Sequence, residues 1–192
     1  MVPNGDSLII EKGSSVRFLG NYHFDVDGYL EINGEAGDTV DFFSLPLNQN
    51  FAAGQWQGID INDVSDDNSR MSFVEIKYAV DGIYWTNANA SLDNSRIHHH
   101  SDIGLEIYGN NSNPVIDTVN VHNCNNHGIY MYDAQPRYTH VQSHHNGTYG
   151  MYYDYYAHGV ADYLDVHNNG SYGIRMWNSC SPTIRDSYIH DN

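Results

Sequence analysis

Asp165 and His167 lie two residues apart, so on a strand both side chains project from one face. His140, one repeat earlier, falls at the phase of Asp165, and Asp162 and Arg137 lie close by register. Carboxylate with imidazole is the usual material of proton transfer, so Asp165, His167 and His140 are the candidate catalytic residues. A second set is a histidine column. His98, His122, Gln142, His167 and His190 each follow an apolar residue or a strand anchor. His98 and His122 on neighbouring rungs could share a metal ion. Two ligands make a weak site, and a polar ladder along the turn is the plainer reading. Protonated below about pH 6, such stacked imidazoles would repel one another. The third set is aromatic. Tyr84, Tyr130 and Tyr152 share one column, and Tyr108, Tyr132 and Trp177 share another. Rigid amphipathic rings on one flat face can stack on sugar rings while their phenols hydrogen-bond, which makes these six the candidate ligand-binding residues. The same rings would also stabilise stacked strands by cross-strand pairing alone.

What must position these groups is a repeat. A glycine followed by a large apolar residue recurs at Gly58-Ile59, Gly82-Ile83, Gly104-Leu105, Gly128-Ile129, Gly150-Met151 and Gly173-Ile174, at intervals of 24, 22, 24, 22 and 23 residues. One and three residues after the glycine the chain is large and mostly apolar; two and four residues after, it is polar or amphipathic. Period two is the signature of a strand with one face buried. A second anchor, Ile97, Val121, Val141, Val166 and Ile189, marks another strand in each unit. A third column, Leu92, Ile116, Ala161 and Ile184, is interrupted at Pro136. Asn, Gly, Asp and Ser turns separate these short strands, and no segment carries the apolar period of a helix. The spacing predicts a coil of three short parallel strands, stacked about 4.8 Å per turn. Right-handedness is the expected sense for parallel crossovers. The inward set predicted from it is Ile59, Ile61, Ile83, Trp85, Leu105, Ile107, Ile129, Met131, Met151, Ile174 and Met176.

The segments DGIYW, IGLEIYGNNSNPVIDTVNVHNC, HGIYMYDAQP, YGMYY and YGIRMWNSCSPTIRDSYIHDN resemble those of right-handed parallel β-helix repeat proteins, the pectate-lyase-like group. The opening, with VPNGDSLIIEKGSSVRF, DGYLEINGEAGDTVDF and GQWQGIDI, resembles the first rungs of bacterial or archaeal surface and secreted proteins of this kind. The fold implied is all-β, a single-stranded right-handed parallel β-helix of about eight coils of 22–24 residues. One domain, residues 1–192, would hold opening rungs and a loop over 1–57 and regular repeats over 58–192. Ser44 to Gln55 reads as that loop. The stretches Asp63–Arg70, Tyr108–Pro114 and Asp154–Val160 vary in length along one edge, where such rods place specificity.

The resemblance implies Asp clusters with Ca²⁺ and a Lys or Arg base in lyases, and two or three close Asp in hydrolases. The clusters visible are Asp25 with Asp27, and Asp63, Asp66 and Asp67; neither matches a family motif. No cofactor is therefore expected beyond the Ca²⁺ that such a family admits. A net charge of −16, with Lys12 and Lys77 the only lysines, excludes nucleic acid and anionic membrane surfaces as partners. No apolar run is long enough to span a membrane. Cys124 and Cys180 fall at different corners and are expected to be free. Asn192 stops inside a repeat, so the sequence reads as a piece of a longer chain. The expectation is a non-catalytic extracellular or cell-surface module that shows its Tyr-rich face to polysaccharide or protein. The alternatives are a carbohydrate-active enzyme, lyase or hydrolase, and a structural subunit stacking end to end.

Overall fold

The computed structural model describes residues 1–45 and 51–192. Part of the predicted Ser44–Gln55 loop lies outside the described residues, and Ser44 itself closes a strand. Among the described residues three parallel sheets of eight, eight and seven strands wind as one right-handed solenoid of about eight coils. The first sheet starts at Ser7–Glu11, the second at Ser15–Phe18 and the third at His23–Val26; each coil adds one strand to each in turn.

Burial follows the period-two pattern. Ile59, Ile83, Leu105, Ile129 and Met151 pair rung to rung and are wholly buried, as are Ile61, Trp85, Ile107 and Met131. Ile174 is only half-buried, and Met176, predicted inside, is 48 % exposed, because Tyr172–Met176 is the end strand of the third sheet and is covered on one side alone, by Tyr149–Asp154. From the third coil on, the corner between the first and second sheets turns on a single left-handed residue. Phe73, Asn94, Thr118, His140, Tyr163 and Asp186 occupy it with φ of 50, 48, 54, 51, 57 and 48°. A left-handed residue there reverses the inside–outside phase at the cost of about 1–2 kcal/mol for a side chain such as Phe or Tyr. The next corner repeats the device at His99, Asn123, His145, Asn168 and Asp191.

The sixth coil corrects the sequence reading. Ser143, not Val141, pairs with Val121 and Val166, and Tyr138, not Pro136, pairs with Ile116 and Ala161. The apolar Val141 drew the anchor two residues early. It is buried too, but one step upstream on the inner face. The anchor intervals become 24, 22, 23 and 23 residues, and the histidine column closes at His144 where Gln142 was expected.

An asparagine ladder caps the inner end of the second sheet. Asn146 Nδ2 donates to Asn169 Oδ1 at 3.0 Å, and Asn169 Nδ2 to Asn192 Oδ1 at 2.8 Å. Each side-chain oxygen of the ladder also accepts a backbone N–H from one coil below, Cys124 N–H to Asn146 Oδ1, Asn146 N–H to Asn169 Oδ1 and Asn169 N–H to Asn192 Oδ1, each at 3.1 Å. Both Asn146 and Asn169 start glycosylation triplets, yet they are 2 % and 5 % exposed and serve the interior. Cys124 and Cys180 are free thiols.

Candidate functional site

The outward face of the third sheet carries one continuous file. Register places Asp25, Asp60, Tyr84, Glu106, Tyr130, Tyr152 and Arg175 on successive rungs. Each stands two residues after the glycine position, so the strand phase fixes its outward direction. Tyr84 and Tyr130 therefore flank Glu106 on either side. Asp81 and Asp102 join the file from the bend preceding the strands. Asp81 Oδ1 accepts the Ile103 N–H at 2.9 Å, and Asp102 Oδ1 accepts from Asn126 Nδ2 at 2.8 Å.

Glu106 is half-buried, and no described residue donates a hydrogen bond to its carboxylate. Burial, then the charges of Asp81, Asp102 and Asp60, push its carboxyl up to about 7. Asp81 is pushed up to about 6, mainly by burial, with the Ile103 N–H working against the shift. Asp60 is raised by burial despite its contact with His23. A carboxyl that keeps its proton near neutrality beside another that loses it earlier is the arrangement acid–base chemistry needs.

The far end of the file is aromatic and basic. The His127 ring stacks on Tyr149 at 4.8 Å and meets Tyr152 edge-on at 5.4 Å. The Arg175 guanidinium lies over Tyr149, Tyr152 and Trp177 at 5.2, 5.5 and 5.2 Å. Tyr130 and Tyr152 both reach Asp154 at 3.4 Å. At the near end, ligand atoms of His23, Asp25 and Asp60 lie within 4.8 Å of one another, and His23 Nδ1 is 2.7 Å from Asp60 Oδ2. One imidazole and two carboxylates suit Zn²⁺ or Mn²⁺ better than Ca²⁺, which prefers an all-oxygen shell.

The predicted residues divide. Tyr84, Tyr130 and Tyr152 do share the file. Tyr108 and Tyr132 stack at 4.7 Å in the adjoining column, whose next register position is Asp154, and the ring stack continues to the left-handed Tyr155 at 4.9 Å rather than to Trp177. The acid–base set Asp165, His167 and His140 is not brought together. Asp165 pairs with Gln142 and Tyr188, while His140 sits at the one-residue corner, stacked on Tyr163 at 4.9 Å and 3.6 Å from Asp117. The two-residue register correction removes His140 from that face. Asp25 pairs with Asp60, and Asp27 instead accepts from Asn62 Nδ2. Sequence reasoning passed over Glu106, Asp81, Asp102 and His127. Glu106 stood in the tyrosine column, and the other three precede Gly82, Gly104 and Gly128 by one or two residues.

Residues 81–192 match the family model described as the right handed beta helix region. The chain belongs to that family. Membership fits the winding and register above and carries no chemistry by itself. No curated protein matched the chain. Two solved structures are similar to this β-helix. One is an alginate lyase from Paenibacillus sp. str. FPU-7, at 15 % identity and a TM-score of 0.47, covering 96 % of this chain and 69 % of that one. The other is the catalytic domain of a GH87 alpha-1,3-glucanase in complex with tetrasaccharides, at 11 % identity and a TM-score of 0.46. That match covers 93 % of this chain and 54 % of the glucanase domain, so the β-helix spans about half of it.

Proposed function

We propose that the outward face of the third sheet binds a neutral polysaccharide and cleaves it, with Glu106 as the general acid. The observation that carries this reading is the state of Glu106: half-buried, without a hydrogen-bond donor, hemmed by three aspartates and protonated to about pH 7. Structural carboxylates are usually paired and pulled the other way, as Glu75 and Asp162 are here. Tyr84 and Tyr130 offer sugar-stacking surfaces on both sides of the acid. Asp81, which ionises at lower pH than Glu106, is the base that activates water.

Electrostatics favour hydrolysis of a neutral chain over elimination from a uronate. Asp25, Asp60, Asp81 and Asp102 crowd the face, and the cation of the file, Arg175, stands three rungs from Glu106 and is packed over Tyr149, Tyr152 and Trp177. Like-charge juxtaposition costs several kcal/mol and would repel a polyanion. Polysaccharide as substrate also fits an extracellular or cell-surface location. A second reading, retention of glycan without cleavage, draws on the stacked Tyr108, Tyr132 and Tyr155 rings beside the file.

The test is Glu106→Gln. On a panel of neutral polysaccharides it should lower reducing-end release by about 10²–10⁴-fold while glycan retention survives. An unchanged rate, or a Glu106 carboxyl that titrates at its ordinary value by NMR, defeats the catalytic reading. Retention without cleavage by the wild-type protein would favour the second.

A further inference from the structure

The corrected register turns the second sheet's outer face into an unbroken imidazole stack. His98, His122, His144, His167 and His190 lie ring on ring at 4.9, 5.1, 4.8 and 5.1 Å. A stack of this kind would be a polar ladder and nothing more, but for the residue that follows it on two coils. His99 and His145 occupy the left-handed corner with φ of 58 and 55°. That conformation turns each ring back, edge-on, against the preceding histidine. His98 Nδ1 and His99 Nδ1 are then 2.6 Å apart, and His144 Nδ1 and His145 Nδ1 are 2.8 Å apart. The ring centroids agree as well, at 4.9 and 5.0 Å with interplanar angles of 79 and 84°. The same bidentate arrangement is thus built twice, two coils apart. On the coils between and beyond, Asn123, Asn168 and Asp191 hold the corner and set an amide or carboxylate against the histidine Nδ1, at 3.0, 2.9 and 2.9 Å, in place of a second imidazole.

We propose that each adjacent pair, His98 with His99 and His144 with His145, is a chelate for a late first-row divalent cation, Cu²⁺ held most tightly. Two imidazole nitrogens 2.6 and 2.8 Å apart stand at the spacing of adjacent ligands on one ion and can supply half of the tetragonal nitrogen set that Cu²⁺ prefers, and the Irving–Williams order puts Cu²⁺ above Ni²⁺ and Zn²⁺ at such ligands. Water completes the shell. The first pair is already oriented. Glu75 Oε1 lies 2.9 Å from His98 Nε2, accepts a hydrogen bond from its N–H and leaves the Nδ1 lone pair facing His99. His99 Nδ1–H then donates to that lone pair. When the cation enters, this proton moves to the Nε2 of His99, so a neutral pair binds without net proton loss. Lys77 and Arg96, the nearby cations, are each held by Glu75, at 3.0 and 3.7 Å. On the second pair Asp165, from the next strand, supplies a favourable charge. These sites share no residue with the Glu106 face, so either can fail without the other.

The experiment is a CuCl₂ titration followed by electron paramagnetic resonance. Nitrogen-coordinated copper should saturate at two equivalents on the second sheet. His99→Ala and His145→Ala should each remove one, and the double variant both. His23→Ala identifies any equivalent held by the His23–Asp25–Asp60 group, and circular dichroism confirms folding. Two ions two coils apart, about 10 Å, should also broaden each other's lines, and either single variant should sharpen them. Copper that binds equally well to the double variant, or nitrogen signals that never appear, overturns the proposal.

Discussion

Glu106 is the residue on which the chemistry turns, and its acidity has a consequence for stability that needs no substrate. Its carboxyl is raised from the ordinary 4.5 to about 7, so the folded chain holds a proton that the unfolded chain gives up earlier. The stabilisation from that proton is present below the ordinary value and is lost as pH rises through about 7. Glu106→Gln should therefore raise the melting temperature at pH 8 and change it much less at pH 5; melts of both proteins at the two pH values check this. The outward position of Glu106 was legible in the sequence, since it shares a column with Tyr84, Tyr130 and Tyr152. Its proton affinity was not. Asp102 reaches it from the bend on its own coil, but only the stacking of coils brings Asp81, 25 positions earlier, into the same electrostatic neighbourhood. For Asp165 with His167 the converse holds: their spacing put them on one strand face, but His140, read with them, stands at the corner against Tyr163 and Asp117.

At the scale of the strand and its turn, the glycine column is explained by close approach rather than by dihedral freedom. Of the six glycines that define the repeat only Gly58 has a left-handed φ, at 123°. A Cβ at Gly128 would sit 2.2 Å from Ser143 Oγ and 2.7 Å from the Gly150 carbonyl oxygen. Gly128→Ala should cost about 1–3 kcal/mol from overpacking, a fall of roughly 2–4 °C in melting temperature per kcal/mol for a chain of this size. Asn169→Ala tests the ladder. It strips the acceptor from the Asn146 N–H and leaves a buried donor unpaired, which costs about 1–3 kcal/mol. A melt unchanged by either substitution would remove the corresponding element from the account. The glycine strands were readable because every one obeys period two. The second sheet was readable on four coils and missed on the sixth, where Ser143 replaces an aliphatic residue and Val141 offers a false anchor. A small buried residue gives no hydrophobic signal, and here its hydroxyl donates to the Gly150 carbonyl oxygen at 2.7 Å instead. The one-residue corners went unseen as well, since Phe73, Thr118 and Tyr163 are not residues whose chemistry announces a left-handed turn.

Across the whole molecule two sets of groups pull stability in opposite directions with pH. Burial lowers the imidazoles of His99, His100, His122, His127 and His144, with His100 at about 3 and His144 at about 4. Their contribution is complete above 6.5 and declines as pH falls toward those values, because the unfolded chain takes up protons first. Glu75 and Asp162, both lowered by hydrogen-bonded partners, add to the loss at still lower pH. Asp60, Asp81 and Glu106 are raised, as is His190 beside Asp191 and Asp165, so each contribution fades as pH rises, through about 6 for Asp81 and about 7 for Glu106. A net charge of −16 adds self-repulsion on that alkaline side, which salt screens. The melting temperature should therefore pass through a maximum between about pH 5 and 7. His144→Ala should flatten the acid limb alone, and Glu106→Gln the alkaline limb alone. Added salt should lift the alkaline limb more than the peak. A stability that climbs steadily to pH 9, or two variants that shift both limbs together, would show that the imidazole stack and the acidic face do not act as independent titrating surfaces of one rod.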